Sequence, residues 1–185
     1  MAIVHRTTLS PTKLELLEVW LPRQEWAEGT GSPTLVGSYR FDDPAGEVGI
    51  EGLLVETEIG LLQVPMTYRA APLEGAEVHL IGTMEHGVLG QRWAYDGEFD
   101  PVWRAAALHA IFTGGQGAEL NVERDGEIVA TVEPTVQVRG TGSGEAPRHA
   151  ALHLARRVGD HLGGDEHLNG TWATGRGILA SGSRL

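Results

Sequence analysis

The chain has 185 residues, of which 41% are hydrophobic and 21% charged, a composition typical of one globular domain with a substantial core. Its formal net charge of -11 argues against nucleic acids and anionic membranes as partners, because both are bound through clustered Lys and Arg. The absence of cysteine excludes disulfides and thiolate sites, and without a signal-peptide pattern or an apolar run of about 20 residues the sequence predicts a cytoplasmic protein.

The first predicted elements are a short strand in AIVHRTTLS and an amphipathic helix in SPTKLELLEVWLP. Ser10 is the predicted N-cap of this helix, and Pro11 occupies its first turn. Leu14, Leu17 and Leu21 share one face of the helix at spacings of three and four residues, so we expect that face to be buried.

Three strands follow in LVGSYRFDD, EVGIEGLLVET and GLLQVPMTYR, separated by turns. The third strand alternates Leu62, Val64, Met66 and Tyr68 with Gln63, Pro65 and Thr67. If the first set is buried, the second lies on solvent or on a second layer. Because proline donates no hydrogen bond to a sheet, the third strand is predicted to be an edge strand or to bulge at Pro65.

DPVWRAAALHAIFTGG predicts a second helix, capped by Asp100, with Pro101 in its first turn and small alanines that allow close packing. AELNVERDGEIVATVE predicts a hairpin with a turn at Asp125–Gly126, and TVQVRG is expected to continue it as a further strand. The domain limits are predicted at residues 1–140, with a glycine-rich linker at 141–148 and a C-terminal segment at 149–185 that completes the same domain.

The segment APRHAALHLARRVGDHLGG fits either a helix or a strand. A strand is favoured because LNGTWATGRGILA, which follows it, is typical of a closing hairpin. Residues 145–170 therefore remain the least determined part of the sequence.

Several patterns for catalysis or metal binding are missing or weak. His149 and His153 are four residues apart, and His161 and His167 follow, but an HExxH motif is absent and solvated surface histidines are the favoured interpretation. GTGSG is followed by Glu-Ala-Pro instead of the Lys-Ser or Lys-Thr of a phosphate-binding loop. The sequence also lacks a GxSxG elbow and the kinase signatures.

The segment from Met66 to Gly97 is rich in residue types that bind ligands or protein partners. Trp, Tyr and Arg are enriched at interaction hot spots, and Trp93 and Tyr95 alternate along a probable strand. A core position for both aromatics fits equally well. The candidate binding residues are Tyr68, Arg69, Glu85, His86, Arg92, Trp93, Tyr95 and Asp96.

Four segments together resemble the N-terminal cap region of bacterial maltokinases and related glucosamine kinases: LLEVWLPRQEW, VPMTYRAAPLEGAE, LIGTMEHGVLGQRWAYDG and YDGEFDPVWRAAA. Trp20, Leu21 and Trp26 fit a Trp-Leu-x-x-x-x-Trp-like pattern of these caps. A Tyr-Asp…Asp-Pro pattern is matched by Tyr95, Asp96, Asp100 and Pro101. The resemblance covers about residues 1–140 and implies an α+β fold, in which a curved, cystatin-like antiparallel β-sheet is packed by two or three helices.

In those kinases, lobes that hold ATP, magnesium and the catalytic aspartate follow the cap, whereas this sequence stops at Leu185 without their motifs. The resemblance therefore implies a free-standing, non-catalytic module of maltose, trehalose, α-glucan (glycogen) or amino-sugar metabolism that needs no cofactor. Its expected partner is a sugar kinase, another carbohydrate-metabolism enzyme or a second copy of itself. The alternative is a small-molecule or carbohydrate binder, or a minor enzyme, with a pocket in the curved sheet formed by Arg69, Glu85, His86 and Arg92.

Overall fold

A computed structural model describes residues 2–5, 8–124 and 127–185. The N-terminal half contains helix α1 (Lys13–Trp20) and the strands β1 (Ala2–His5), β2 (Leu9–Ser10), β3 (Thr34–Phe41), β4 (Gly49–Thr57), β5 (Gly60–Arg69), β6 (Leu80–His86) and β7 (Gly90–Asp96). The C-terminal half contains helix α2 (Pro101–Thr113) and the strands β8 (Leu120–Arg124), β9 (Glu127–Val132), β10 (Val136–Gly140), β11 (Ala150–Leu154), β12 (Glu166–Trp172) and β13 (Gly175–Arg184).

The described strands form three sheets. The central sheet has six antiparallel strands in the order β2-β6-β7-β5-β4-β3 and curls into a half-barrel. A second sheet has the order β10-β12-β13-β11, and a third has the order β1-β8-β9, in which β1 runs parallel to β8. The predicted class, an α+β fold with a curved antiparallel sheet and two helices, is confirmed.

Helix α1 begins two residues later than the sequence predicted. Thr12 is the N-cap, because its Oγ1 accepts a hydrogen bond from the Glu15 N–H at 3.3 Å while the Glu15 carboxylate accepts one from the Thr12 N–H at 2.6 Å. This reciprocal capping box satisfies two free backbone donors, and the prediction of Ser10 as the cap is wrong. Ser10 instead ends β2, opposite Glu85 of β6.

Two hydrophobic clusters cover the two faces of the central sheet. The α1 face is packed against α1 and includes Leu53, Val64, Met66 and Ala94, with Leu17, Trp20 and Leu21 from the helix and the turn after it. The α2 face is packed against α2 and the four-stranded sheet, and it includes Tyr39, Ile50 and Leu54, with Trp103, Ala107, Ile111, Leu168 and Ala180 on the opposing elements. Leu62, Val64 and Met66 are buried as predicted, and Gln63 and Thr67 face the second layer.

Strand β5 lies inside the central sheet, between β4 and β7, and is not the edge strand that Pro65 suggested. The sheet tolerates this proline because the pairing with β7 begins only at Met66, opposite Asp96. Before Met66, the edge of β5 that β7 does not cover pairs with a loop, because the Gln63 N–H donates to the Arg156 carbonyl at 2.9 Å. Pro65 thus lies between the part of β5 that pairs with this loop and the part that pairs with β7, both of which need backbone donors.

Helix α2 begins and ends where its sequence predicted. Asp100 accepts a hydrogen bond from the Val102 N–H at 2.9 Å, and Gly114 ends the helix in a left-handed conformation with φ of 70°, as is common at helix C-termini. Within the described residues, neither α1 nor α2 has the length and apolarity that a bilayer crossing requires.

The C-terminal segments form strands. β8 and β9 pair antiparallel as a hairpin, although the predicted turn at Asp125–Gly126 lies outside the described residues. β10 does not continue this hairpin but pairs with β12 in the four-stranded sheet, because its alternate residues Val136 and Val138 are buried on the α2 cluster. β11 is a strand, and β12 and β13 form the expected closing hairpin.

The glycine-rich segment after β10 lies against the C-terminal end of α2. The N–H groups of Gly142 and Gly144 donate to the carbonyls of Ile111 and Phe112 at 2.9 and 3.2 Å. These bonds satisfy carbonyls that a helix end leaves free. A Cβ at Gly140 or Gly142 would overlap a carbonyl oxygen of α2, so these glycines allow two backbones to approach closely.

Candidate functional site

Tyr68 belongs to a polar cluster on the α1 face. Its hydroxyl donates to Oε2 of Glu51 at 2.8 Å, and the same oxygen lies 2.5 Å from Nζ of Lys13, at the start of α1. Arg40 approaches the other carboxylate oxygen at 3.7 Å. The cluster ties α1 to the middle of the sheet through a carboxylate that is almost completely buried.

The charges around Glu51 determine its protonation. Burial alone would raise the pKa of Glu51. Attraction to Lys13 and Arg40 and the hydrogen bonds from Lys13 and Tyr68 outweigh this effect, and together they lower the pKa to about 2. Burial and the adjacent carboxylate raise the pKa of Tyr68 well above its usual value. Glu51 is therefore ionised and Tyr68 is a neutral donor at neutral pH, an arrangement suited to holding a structure together.

Arg69 lies on the α2 face and is paired with the N-cap of α2. Its Nε and Nη2 donate to the two carboxylate oxygens of Asp100 at 2.8 and 2.7 Å, and the Thr67 hydroxyl donates to Asp100 at 2.7 Å. Burial raises the pKa of Asp100, but the hydrogen bonds from Arg69, Thr67 and the Val102 N–H lower it below its usual value. Asp100 thus holds the guanidinium and the helix terminus at once, and its acceptor capacity is filled.

Asp96 is paired with Arg156, a residue that the sequence analysis did not select. Nη2 of Arg156 donates to Asp96 and also to Glu98, which lies 2.6 Å away. The guanidinium lies 4.5 Å above the ring of Trp26, at a distance typical of a cation–π contact. Burial raises the pKa of Asp96 above its usual value, although Arg156 acts in the opposite direction.

Tyr95 and Trp93 lie on the α2 face, whereas Tyr68 lies on the α1 face, so the three candidate aromatics do not form one surface of the sheet. The register of β5 and β7 places Tyr68 opposite Ala94, and Thr67 opposite Tyr95. Residues that are neighbours along a strand point to opposite faces, so this register separates Tyr68 from Trp93 and Tyr95. Tyr95 is buried and its hydroxyl accepts from the Leu73 N–H at 2.9 Å, while Trp93 is half-buried.

Glu85, His86 and Arg92 lie toward the hairpin that joins β6 and β7. Glu85 is exposed, Nδ1 of His86 accepts from the N–H groups of Val88 and Leu89, and Arg92 donates to the carbonyl before it. Arg92 pairs with Met84 on the α1 face, whereas Arg69 is on the α2 face. The four residues proposed to form a pocket therefore do not converge.

A concave polar groove of about 340 Å³ lies elsewhere, beside β10 and β12. Its polar lining comprises Gln116, Glu119, Glu133, Gln137, Arg139, Asn169 and Thr171. This groove was not predicted from the sequence. Its one local signal was the alternation of β10, in which polar Gln137 and Arg139 interleave with buried Val136 and Val138.

Another residue that sequence reasoning missed is Gln63, which connects the two main sheets. Its Oε1 accepts from the buried Tyr39 hydroxyl at 2.9 Å. Its Nε2 donates to the carbonyls of Ala155 and Leu179 at 3.2 and 2.7 Å. A glutamine inside an apolar strand pattern was the available signal, because a buried amide needs partners on another element.

The C-terminal histidines lie on strand structure or in loops. His153 is exposed on β11, and His149 precedes that strand, so the helical spacing required for a shared zinc ion does not apply. Across the described ranges, His, Asp and Glu side chains form no group of three arranged to hold a metal ion.

Comparison with known families identifies one segment. Residues 20–100 match the profile of the maltokinase N-terminal cap domain. The matched segment begins at the last residue of α1, crosses the central sheet and ends at the N-cap of α2. A search among curated proteins gave no significant match.

Proposed function

We propose that this chain, a homologue of the maltokinase N-terminal cap domain over residues 20–100, acts without catalysis by binding another protein of maltose, trehalose, α-glucan or amino-sugar metabolism. The family match supports the link to maltokinases. The contact role rests on one observation: Tyr68, Arg69 and Asp96, which were expected to bind a ligand, are occupied by internal partners.

The pairs that support this proposal involve the strongest candidates. Arg69 is held by Asp100 through two hydrogen bonds, and Asp96 is held by Arg156. A catalytic or ligand site needs polar groups that converge on free space with hydrogen-bonding capacity to spare. Arg69, Asp96 and Asp100 instead have that capacity taken up by the fold, so their roles are structural.

The contact surface must then consist of exposed residues. Tyr95 and Pro65 are buried, so neither can be a first contact. Trp93 remains a candidate because its ring is half-buried, and tryptophan is enriched at the centres of interfaces.

The test is calorimetric titration of the chain with maltokinases and α-glucan enzymes encoded in the same genome. Binding is expected with one of them, and Trp93→Ala should weaken it by about 2 kcal/mol. Val78→Ala, at an exposed valine, is the matched control and should leave the dissociation constant unchanged. Absence of binding to every candidate enzyme would sink the contact role.

The groove beside β10 and β12 supports a second candidate function, the binding of a small carbohydrate. Its volume of about 340 Å³ falls in the range of small-molecule sites, and its amide, carboxylate and guanidinium groups suit sugar hydroxyls. A thermal-shift screen should include maltose, trehalose, glucosamine, their phosphates and ATP. A saturable rise in melting temperature that is lost in Asn169→Ala would favour this function.

A further inference from the structure

The outer edge of β9 is an open strand edge in the described part of the chain. In the three-stranded sheet β9 pairs with β8 on one side, and none of the described strands pairs with its other side. The edges of β3 and β10 differ, because the Ser38 N–H of β3 donates to Thr135 and the Val138 carbonyl of β10 accepts from Gly117. An uncovered edge offers a row of backbone donors and acceptors to another chain.

The side chains of β9 are also unusual for an uncovered edge. Ile128, Val129 and Val132 are 51%, 53% and 48% exposed. Edge strands in soluble proteins are generally protected by lysine, proline, inward charge or a bulge. The strand EIVATV contains neither lysine nor proline, and its one irregularity leaves Val129 without a partner on β8. By contrast Leu152 and Leu154 of the edge strand β11 pack against the α2 cluster.

The C-terminal end of β9 opens into the polar groove. Leu120 pairs with Val132, so Glu119 and Glu133 stand opposite each other at the base of the hairpin, and both line the groove. Like charges in this relation are destabilising. Arg139 also lines the groove, so two carboxylates face one guanidinium and the groove retains a negative charge.

We infer that the edge of β9 and the groove at its end form a docking site for an extended segment of a different protein, in which Lys or Arg precedes alternating apolar residues. This inference rests on the proposed contact function and names the kind of partner. Antiparallel addition is the commoner pairing, and it places the start of the incoming segment beside Glu133. The basic side chain enters the groove, and the apolar side chains that share its face of the segment cover Val129.

Charge decides between this occupant and a second copy of the chain. A second copy would offer its own β9, EIVATV, which contains no basic residue to place beside Glu133. Each copy also carries a net charge of -11, which opposes association of two copies. In strand addition, backbone hydrogen bonds give the affinity and alternate side chains give the specificity. A basic residue at one end of the segment therefore makes the site selective for that segment.

The test uses the full chain and two capped peptides, Lys-Thr-Val-Thr-Val-Thr and its counterpart that begins with Glu. Binding is followed through the backbone amide resonances of the chain by NMR titration. The Lys peptide is expected to shift the amides of residues 128–133 saturably and to bind at least tenfold more tightly than the Glu peptide. Glu133→Lys and Val129→Lys should each weaken it at least tenfold, whereas Val78→Lys, an exposed control outside β9, should not.

Other outcomes overturn the docking site in distinguishable ways. Equal binding of the two peptides, or shifts confined to other residues, would remove the site. Concentration-dependent dimerisation lost in Val129→Lys would assign the edge to a second copy, and a sugar that shifts the groove amides while the peptide does not would assign the groove to a carbohydrate. A partner enzyme that binds the two β9 variants and the unaltered chain equally would leave the contact function standing but contradict this site.

Discussion

The two faces of the central sheet are both covered, but their polar residues connect different parts of the chain. On the α1 face, Lys13, Glu51 and Tyr68 join the sheet to the helix that precedes it, and Lys13 remains partly exposed. On the α2 face, Gln63 and Thr67 are fully buried and bind groups 33 to 116 residues later. The alternation of polar and apolar residues thus marks two interior layers, and the polar residues of the α2 layer connect the sheet to the C-terminal half of the chain.

The largest expected effect comes from breaking the α2 face at Asp100. Asp100→Ala removes the N-cap of α2 and leaves the Arg69 guanidinium without its carboxylate, so we expect a loss of about 4 kcal/mol in the free energy of unfolding. Urea denaturation measures this loss. Asp160→Ala, at an exposed aspartate, should change stability by less than about 0.5 kcal/mol, and equal effects of the two substitutions would contradict the pairing.

Gln63→Leu tests the link between the two main sheets. The substitution keeps the side-chain size but leaves the Tyr39 hydroxyl and the Ala155 carbonyl without their partner, while the Leu179 carbonyl keeps only the Ala155 N–H. We expect a loss of about 3 kcal/mol, because buried polar groups without partners are costly. Gln91→Leu, at an exposed position of β7, is the control. A double-mutant cycle with Tyr39→Phe should show coupling, and strict additivity would mean that this hydrogen bond does not contribute.

Glu51→Gln tests the polar cluster of the α1 face through the pH dependence of the free energy of unfolding. The pKa of Glu51 is about 2 in the folded protein and 4.5 for the free group, so its charge stabilises the fold by up to about 3 kcal/mol above pH 4.5. That contribution is lost as the pH falls from about 4.5 to 2. The stability difference between Glu51→Gln and the unaltered chain should therefore shrink across this window in urea titrations. Glu56→Gln, exposed on the same strand, is the control substitution, and a constant difference for Glu51→Gln across this window would contradict the prediction.

The smallest expected effect concerns the segment that covers the far end of α2. A methyl group at Gly140 would overlap the Ala110 carbonyl, whereas one at Gly144 would meet only the end of the Arg184 side chain. Gly140→Ala should therefore lower the free energy of unfolding by about 2 kcal/mol, and Gly144→Ala should leave it nearly unchanged. Similar melting curves for the two variants would show that this segment does not pack on α2.

The parts of the fold that sequence predicted well depend on local signals. Asp100 and Gly114 define the limits of α2 through hydrogen bonds to their nearest neighbours, and turn residues separate β3, β4 and β5 in the same way. Thr12 was missed as the N-cap of α1, although Glu15 three residues later completes a capping box. Pairing between strands is not local, which is why β10 was assigned to the wrong sheet.

The candidate site was predicted by residue type but not by role. Arg69, Asp96 and Tyr68 are chemically suited to bind ligands, yet the partners that occupy them are 31, 60 and 17 residues away in the chain. Nothing in the spacing of a single sequence reveals such pairs. The faces of Tyr68 and Trp93 depend on the register between β5 and β7, which a one-residue shift would reverse.

The hydrogen bonds of Gln63 have a consequence for synthesis on the ribosome. The side chain receives its last partner from Leu179, 116 residues further along the chain. Until that part is translated and leaves the exit tunnel, the segment homologous to the cap domain leaves the Gln63 amide and an apolar sheet face without their cover. Contacts of such long separation are slow to form, so a nascent chain stalled after α2 should bind holdase chaperones that the completed chain no longer recruits.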